Sequence, residues 1–214
     1  MSKYNEMPWL RLLLENEAGI KVDGCNDSDM KPAYERNRTK MFVHDKDDNG
    51  GATMCGVTFK TFAAATKDND YDHFLKMSYE RWSWIATRMY WDKLKCSQYD
   101  CLPLAIAVAD YGFNSGVTRA AKALQKELND LNEAWDFKFG KPLYVDGIIG
   151  EKTLAMLQKL PSLMLAVLFD SCIQNRKVFV CGAVKDGTIN KKFEKGLLNR
   201  IRRTYAYGLR YFYT

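Results

Sequence analysis

The chain has 214 residues, 47% of them apolar, and a formal charge of +6, enough for one core or a catalytic domain with a small appendage and too apolar for a disordered chain. No run nears the ~18 apolar residues of a membrane span, and the start, MSKYNEMPWLRLLLENEAG, has no small-residue cleavage site and carries Arg11, Glu15 and Glu17, unlike a secretory signal. Six cysteines without a CxxC pair, and only two histidines, argue against a disulfide scaffold or a Cys/His zinc site, so free and partly buried thiols are expected.

Leu10, Leu13 and Leu14 form an apolar stripe that predicts a first helix from about Pro8 to Glu17. Pro8 suits its first turn and Gly19 can stop it. A carboxylate at the end of an apolar helix, beside a polar loop, is open to a raised pKa through desolvation. Glycoside hydrolysis asks this of its general acid, although spacing alone favours an ordinary surface Glu.

Residues 21–56 are rich in Gly, Asp and Asn and read as one long loop, a feature that is usually functional or disordered. Within it, HDKDDNGGATMCGVTF opens like a calcium loop, with Asp45, Asp47 and Asn49 alternating before Gly50. The twelfth position, where such a loop needs a bidentate Glu, is Gly56. The second half is small and hydroxylated, which lets a backbone approach a sugar or a phosphate closely. Thr58 is placed to cap the next helix. KDNDYD, residues 67–72, is a second acidic turn, and His73 falls where a calcium loop needs Gly. Both read as turns whose Asp and Asn bond their own backbone, and no metal is expected.

LKMSYERWSWIATRMYWDKL predicts one amphipathic helix, with Trp82, Ile85 and Met89 on one face. LPLAIAVADYG, residues 102–112, is apolar all round and predicts a central buried helix starting at Pro103. Asp110 closes that run and Asn114 follows in a Gly-flanked turn. Such polar groups need partners, either in a capping network or across a cleft. SGVTRAAKALQKELNDLNEA predicts a further helix. YVDGIIGEKTLAMLQKL predicts a tight Asp146–Gly147 turn and a short helix. Residues 162–180 and 190–212 predict two more, the last with Phe193, Leu197 and Ile201 at i, i+4 and i+8. The fold expected is all-α, with about seven to nine helices and no internal repeat. The basic C-terminal segment suits a polyanion such as nucleic acid, anionic lipid or an acidic wall. No nucleic-acid motif or stacking segment accompanies it.

Together these segments resemble glycoside hydrolase family 108, N-acetylmuramidases of bacteria and phages. Asp48, Gly50, Gly51, Ala52, Thr53, Gly56, Val57 and Thr58 follow the family's Asp-Asp-x-Gly-Gly-Ala-Thr-x-x-Gly-Ile/Val-Thr stretch. Tyr90, Trp91 and Asp92 look like its Tyr-Trp-Asp. Asp110, Asn114, Gly116, Arg119 and Ala120 look like its Asp-x-x-Val-Asn-x-Gly-x-x-Arg-Ala segment. Asp146, Gly147, Gly150 and Thr153 match the Asp-Gly-x-x-Gly-x-x-Thr of its C-terminal predicted peptidoglycan domain. Phe193, Gly196 and Arg200 resemble its closing Phe-x-x-Gly-Trp-x-x-Arg.

The resemblance implies a lysozyme-like fold, with a muramidase-like region over 1–116 and a helical peptidoglycan-binding region over 117–214, packed as one unit. It implies hydrolysis of the β-1,4 bond between N-acetylmuramic acid and N-acetylglucosamine. Family members place the acid in a Glu-Gly-Gly-aromatic segment. Here ENEAGI stands for it across an insertion, with Glu17 as the acid, Gly19 conforming and Ala18 replacing a Gly. Glu15 is the fallback and Glu35 a third option. Asp48, Gly50, Gly51, Thr53, Asp110 and Asn114 are expected to bind substrate, without cofactor or metal. Peptidoglycan glycan strands are the implied partner, with no nucleic acid and no integral membrane segment, for a monomer made without a signal peptide and released by a holin-type route. The Ala18 departure keeps open a non-catalytic wall-binding or secretion-assisting protein of the same fold.

Overall fold

A computed structural model describes residues 6–21, 27–44, 51–136 and 138–212. Among them the chain is mostly helical, with ten α-helices and one small three-stranded sheet. It forms two compact units, Asn5–Asp92 and Lys93–Thr214.

The first unit begins with α1 (Met7–Ala18), whose Pro lies in the first turn. Trp9, Leu10, Leu12, Leu13 and Leu14 are all buried, so the apolar face is wider than the leucine stripe alone. Gly19 ends the helix in a left-handed conformation, φ 65°. Its N–H donates to the Glu15 carbonyl at 3.0 Å, and that of Ile20 donates to the Leu14 carbonyl at 3.3 Å. The Gly19 bond is that of a left-handed (αL) cap, and the two bonds satisfy two terminal carbonyls.

The expected long loop contains a helix, α2 (Asp27–Asn37). Met30, Ala33 and Tyr34 are buried at i, i+3 and i+4. The Tyr34 hydroxyl donates to the Met77 carbonyl at 3.1 Å. Three apolar residues around an internal Pro32 make too short a pattern to outweigh the charges beside them, so packing sets this helix rather than propensity.

Three two-residue strands follow: β1 (Phe42–Val43), β2 (Thr53–Met54) and β3 (Val57–Thr58). They pair antiparallel in that order, with Thr53 opposite Thr58 and Met54 opposite Val57. The β2–β3 turn is Cys55–Gly56, with φ of 46° and 74°, the two positive values that a tight two-residue hairpin turn requires. Then come α3 (Phe59–Thr66), α4 (Tyr71–Leu75) and α5 (Tyr79–Ala86), capped by the side chains of Thr58, Asp70 and Ser78. The single helix expected around residues 75–94 is thus divided at the Ser78 cap. Its last turn, Thr87–Trp91, is π-helical and closes with an Asp92 N–H to Thr87 carbonyl bond of 2.9 Å. Trp91 stacks on Trp9, ring centroids 5.7 Å apart. The acidic turn before α4 bonds its own backbone as expected: Asp68 accepts the Asp70 N–H, and Asp70 accepts those of Asp72 and His73.

The second unit is built on α6 (Leu102–Ser115), buried from Pro103 to Phe113. It packs against α7 (Val117–Glu133), α9 (Ser162–Lys185) and α10 (Glu194–Leu209), and α8 (Glu151–Gln158) packs on α7. Segment 139–148 has neither helix nor strand, yet three amides of α7 hold its backbone. Asn132 accepts from the Phe139 N–H (3.0 Å) and donates to the Gly140 carbonyl (2.9 Å). Asn129 does both with Leu143, at 2.7 and 2.9 Å. Gln125 accepts from the Gly147 N–H (2.9 Å) and donates to the Ile148 carbonyl (3.0 Å) and Asp146 Oδ1 (2.8 Å). Residues 125, 129 and 132 share one helix face, so α7 serves this segment as a neighbouring strand would. Gly147 has φ 85°, and a Cβ there would meet Thr118 Cγ2 at 2.6 Å and the Thr118 carbonyl oxygen at 2.9 Å.

No disulfide joins the described cysteines; Cys55, Cys96, Cys101 and Cys172 are buried and Cys181 is exposed. Among the described residues, no helix is long and apolar enough to cross a membrane, and no group of three His, Cys, Asp or Glu side chains could hold a metal ion. The Asp45–Gly50 stretch that opens like a calcium loop lies outside the described residues.

Candidate functional site

The candidate site lies in the first unit, where α1 ends beside the π-helical turn. Glu15 and Glu17 are both half-buried, but two helical positions separate them by about 200° around the axis. They therefore address different surroundings. The Glu17 charge acts on the Tyr90 hydroxyl, which shares a hydrogen bond with the Thr61 side chain. Burial is the main reason that the Tyr90 pKa lies above the ordinary value. The Glu17 charge adds to the rise, while the Thr61 bond opposes it. Tyr90 is accordingly a neutral phenol, able to donate as well as accept.

From Tyr90 the polar contacts run into the hairpin. Thr61 Oγ1 lies 3.0 Å from Thr58 Oγ1, and the Thr61 N–H donates to Thr58 Oγ1 at 3.1 Å. Thr58 stands opposite Thr53 across β2 and β3, and directly opposed residues project to the same sheet face. Thr53, Thr58, Thr61, Tyr90 and Glu17 are all half-buried. They make a polar row from the Gly51–Ala52–Thr53 segment to the end of α1. Gly51 itself has φ 70° with open space where a Cβ would lie, which leaves its backbone approachable. The π-helical turn widens the helix by one residue and re-aims Tyr90, a distortion often found at functional sites.

Glu35 is turned elsewhere. Its Oε1 accepts the Tyr79 N–H at 3.0 Å, at the start of α5, and its Oε2 lies 3.3 Å from Arg38 Nη1. It serves as a helix-end partner. Asp48 and Gly50 lie outside the described residues.

Asp110 and Asn114 belong to the second unit, and there the structure favours the packing alternative. Asp110 is 0% exposed. It accepts from Arg176 Nη1 and Arg200 Nη2, both at 2.7 Å, from Arg200 Nε at 3.1 Å and from the Thr204 hydroxyl at 3.0 Å. Burial alone would raise its pKa, but the two guanidinium charges outweigh this and hold the carboxyl far below the usual range. Burial pulls Arg176 below its ordinary value as well. A guanidinium at 2.7 Å from a carboxylate nevertheless stays charged. Asn114 Oδ1 accepts from Arg176 Nη2 at 3.2 Å. A carboxylate so enclosed has no surface to offer a glycan, so the expectation that Asp110 binds substrate is replaced by a buried ion cluster joining α6, α9 and α10. Asp146, Gly147 and Thr153 are likewise structural: the turn hangs on Gln125, and Thr153 is buried.

Tyr90 and Thr61 carry the row, yet neither stood out as a site residue in the sequence. Tyr90 was visible within Tyr-Trp-Asp, and Thr61 only as the third residue after the Thr58 cap.

Residues 39–116 match the model of the family Glycosyl hydrolase 108. The resemblance read from the sequence holds over that segment, which includes the hairpin, Thr58, Thr61 and Tyr90. It begins after α1 and α2, so Glu15, Glu17 and Glu35 lie outside it. The chain is also similar in fold to the structure of Brucella abortus SagA, with a TM-score of 0.62 at 22% identity over 85% of this chain and 94% of that one. No curated protein matched the chain.

Proposed function

We propose that the protein is a peptidoglycan hydrolase of the N-acetylmuramidase type, cleaving the β-1,4 bond between N-acetylmuramic acid and N-acetylglucosamine. The observation that carries the reading is the half-buried polar row from Thr53 to Glu17, because it ties the family-matched segment to a carboxylate that lies outside the match. In this reading Glu17 is the general acid and protonates the leaving glycosidic oxygen. Tyr90 orients Glu17 and is itself held through Thr61 and Thr58. Gly51 and Ala52 let backbone donors reach the sugar, while Asp48 and Thr53 position water or stabilise the oxocarbenium-like transition state. The basic C-terminal segment draws the protein to the anionic wall, an attraction that salt weakens.

A peptidoglycan zymogram of wild type and Glu17→Gln tests the assignment. Clearing by wild type and none by the variant is the expected result. Clearing that survives the substitution removes Glu17 from the mechanism. No clearing by purified wild type, where a control muramidase clears, favours the wall-binding alternative.

A further inference from the structure

One concavity in the first unit shares no residue with the Glu17 row. It is an open groove of about 550 Å³ lined by Ala65 and Thr66 of α3 and by Ser78, Glu80, Arg81 and Trp84 at and along α5. That volume falls within the ~300–1,000 Å³ of small-ligand sites. Trp84 is 47% exposed, while Trp82 on the same helix is buried, so one large aromatic face of α5 is presented to the groove rather than to the core.

The charged residues along the groove are paired with partners outside it. Glu80 is bridged by Lys31, and that hydrogen bond, with one from Ser78, draws its carboxyl down to about 2. Arg81 Nη1 lies 3.7 Å from Asp68 Oδ2, and its backbone N–H is fixed by the Ser78 hydroxyl at 3.3 Å. Each charge is offset by its own partner. The groove therefore offers donors, acceptors and an aromatic plane without a net field of either sign. A charged ligand would be drawn by one wall and repelled by the other. A neutral, polyhydroxylated ligand meets both walls well, because its hydroxyls donate to Glu80 and accept from Arg81 while its apolar ring face lies on the indole. Pre-fixed side chains also lose little entropy on binding.

We infer that the α3–α5 groove is an accessory saccharide site, taking a β-linked N-acetylhexosamine segment with Trp84 as the stacking platform, separate from the Glu17 row. The saccharide reading rests on the lining of the groove, its β-linked N-acetylhexosamine identity rests on the proposed function, and neither requires Glu17 to be the acid.

The test is a titration of full-length Glu17→Gln protein with the tetramer of β-1,4-linked N-acetylglucosamine, following the Trp84 indole N–H by NMR. The resonance is identified by its loss in Trp84→Ala. A saturable shift of that resonance is expected. Affinity read from a neighbouring Ser78 or Arg81 amide should fall about tenfold in Trp84→Ala, the scale of one lost aromatic contact, and recover in Trp84→Phe. Shifts confined to Tyr90 and the hairpin, or equal affinity with and without Trp84, overturn the proposal. So does a Trp84 resonance that stays still at millimolar tetramer. The zymogram reads the other site alone: clearing that fails while Trp84 still titrates refutes the muramidase reading and leaves this groove standing.

Discussion

Replacing Asp110 by alanine separates a packing role from a glycan-binding one. The substitution removes the acceptor of two guanidinium groups, on side chains only 2% and 8% exposed, and of the Thr204 hydroxyl. Breaking a buried pair by deleting one partner costs about 3–5 kcal/mol, because the stranded charge keeps its desolvation penalty. Two guanidinium groups lose this acceptor at once, so the upper part of that range applies. For a chain of this length each kcal/mol moves the midpoint by about 2–4 °C, which gives a fall of about 10 °C or more in a thermal melt followed by circular dichroism. Acid provides an independent arm. The folded carboxyl is held below its unfolded value, so its stabilisation is full above about pH 4 and is lost as pH falls toward the folded pKa. Wild type should therefore lose stability more steeply than Asp110→Ala between about pH 4 and pH 2. A midpoint unchanged within about 2 °C, together with weakened binding to purified wall, would refute the reasoning and return Asp110 to the substrate.

Gln125→Glu replaces a donor by an acceptor against the Ile148 carbonyl and Asp146 Oδ1. Leaving such groups unpaired costs about 1–3 kcal/mol, so the urea midpoint should drop, and drop at least as far as in Gln125→Ala. Tyr90→Phe keeps the ring and deletes the link to Thr61. Turnover on soluble wall fragments should fall about tenfold, less than the ~10²–10⁴ of a lost acid–base group because Tyr90 only orients the acid, with the melting midpoint moving little; full turnover would break the proposed row.

The helices most legible in the sequence were those with long uninterrupted patterns. α6 is apolar on every side because other helices surround it, and α7 alternates in a helical period over its whole length. Gly19 was legible because a left-handed cap is a local requirement that few residues meet. α2 was not, since its helical register rests on contacts of Met30, Ala33 and Tyr34 that no local pattern announces. The interruption before α5 turned on one side chain, Ser78, whose cap outweighs helix continuity. At the candidate site, Glu17 came from the resemblance of ENEAGI to Glu-Gly-Gly-aromatic, because its place at the end of an apolar helix alone favoured a surface Glu. The Thr58–Thr61–Tyr90 link was not legible, because it joins residues far apart in the chain through single hydroxyls. Asp110 shows the opposite difficulty: a polar residue at the end of an apolar run looks the same whether its partners are sugars or arginines sixty-six and ninety positions away.

The amides of Gln125, Asn129 and Asn132 have a consequence for how the second unit opens. Segment 139–148 has no ladder of its own, so its N–H groups would ordinarily exchange with solvent freely. The Phe139, Leu143 and Gly147 amides instead end on side chains of α7. They can be released only when those side chains let go, which makes the segment part of the helix's own cooperative unit. In hydrogen exchange these three amides should fall in the slow class of α7, so that a stretch drawn as coil melts with a helix.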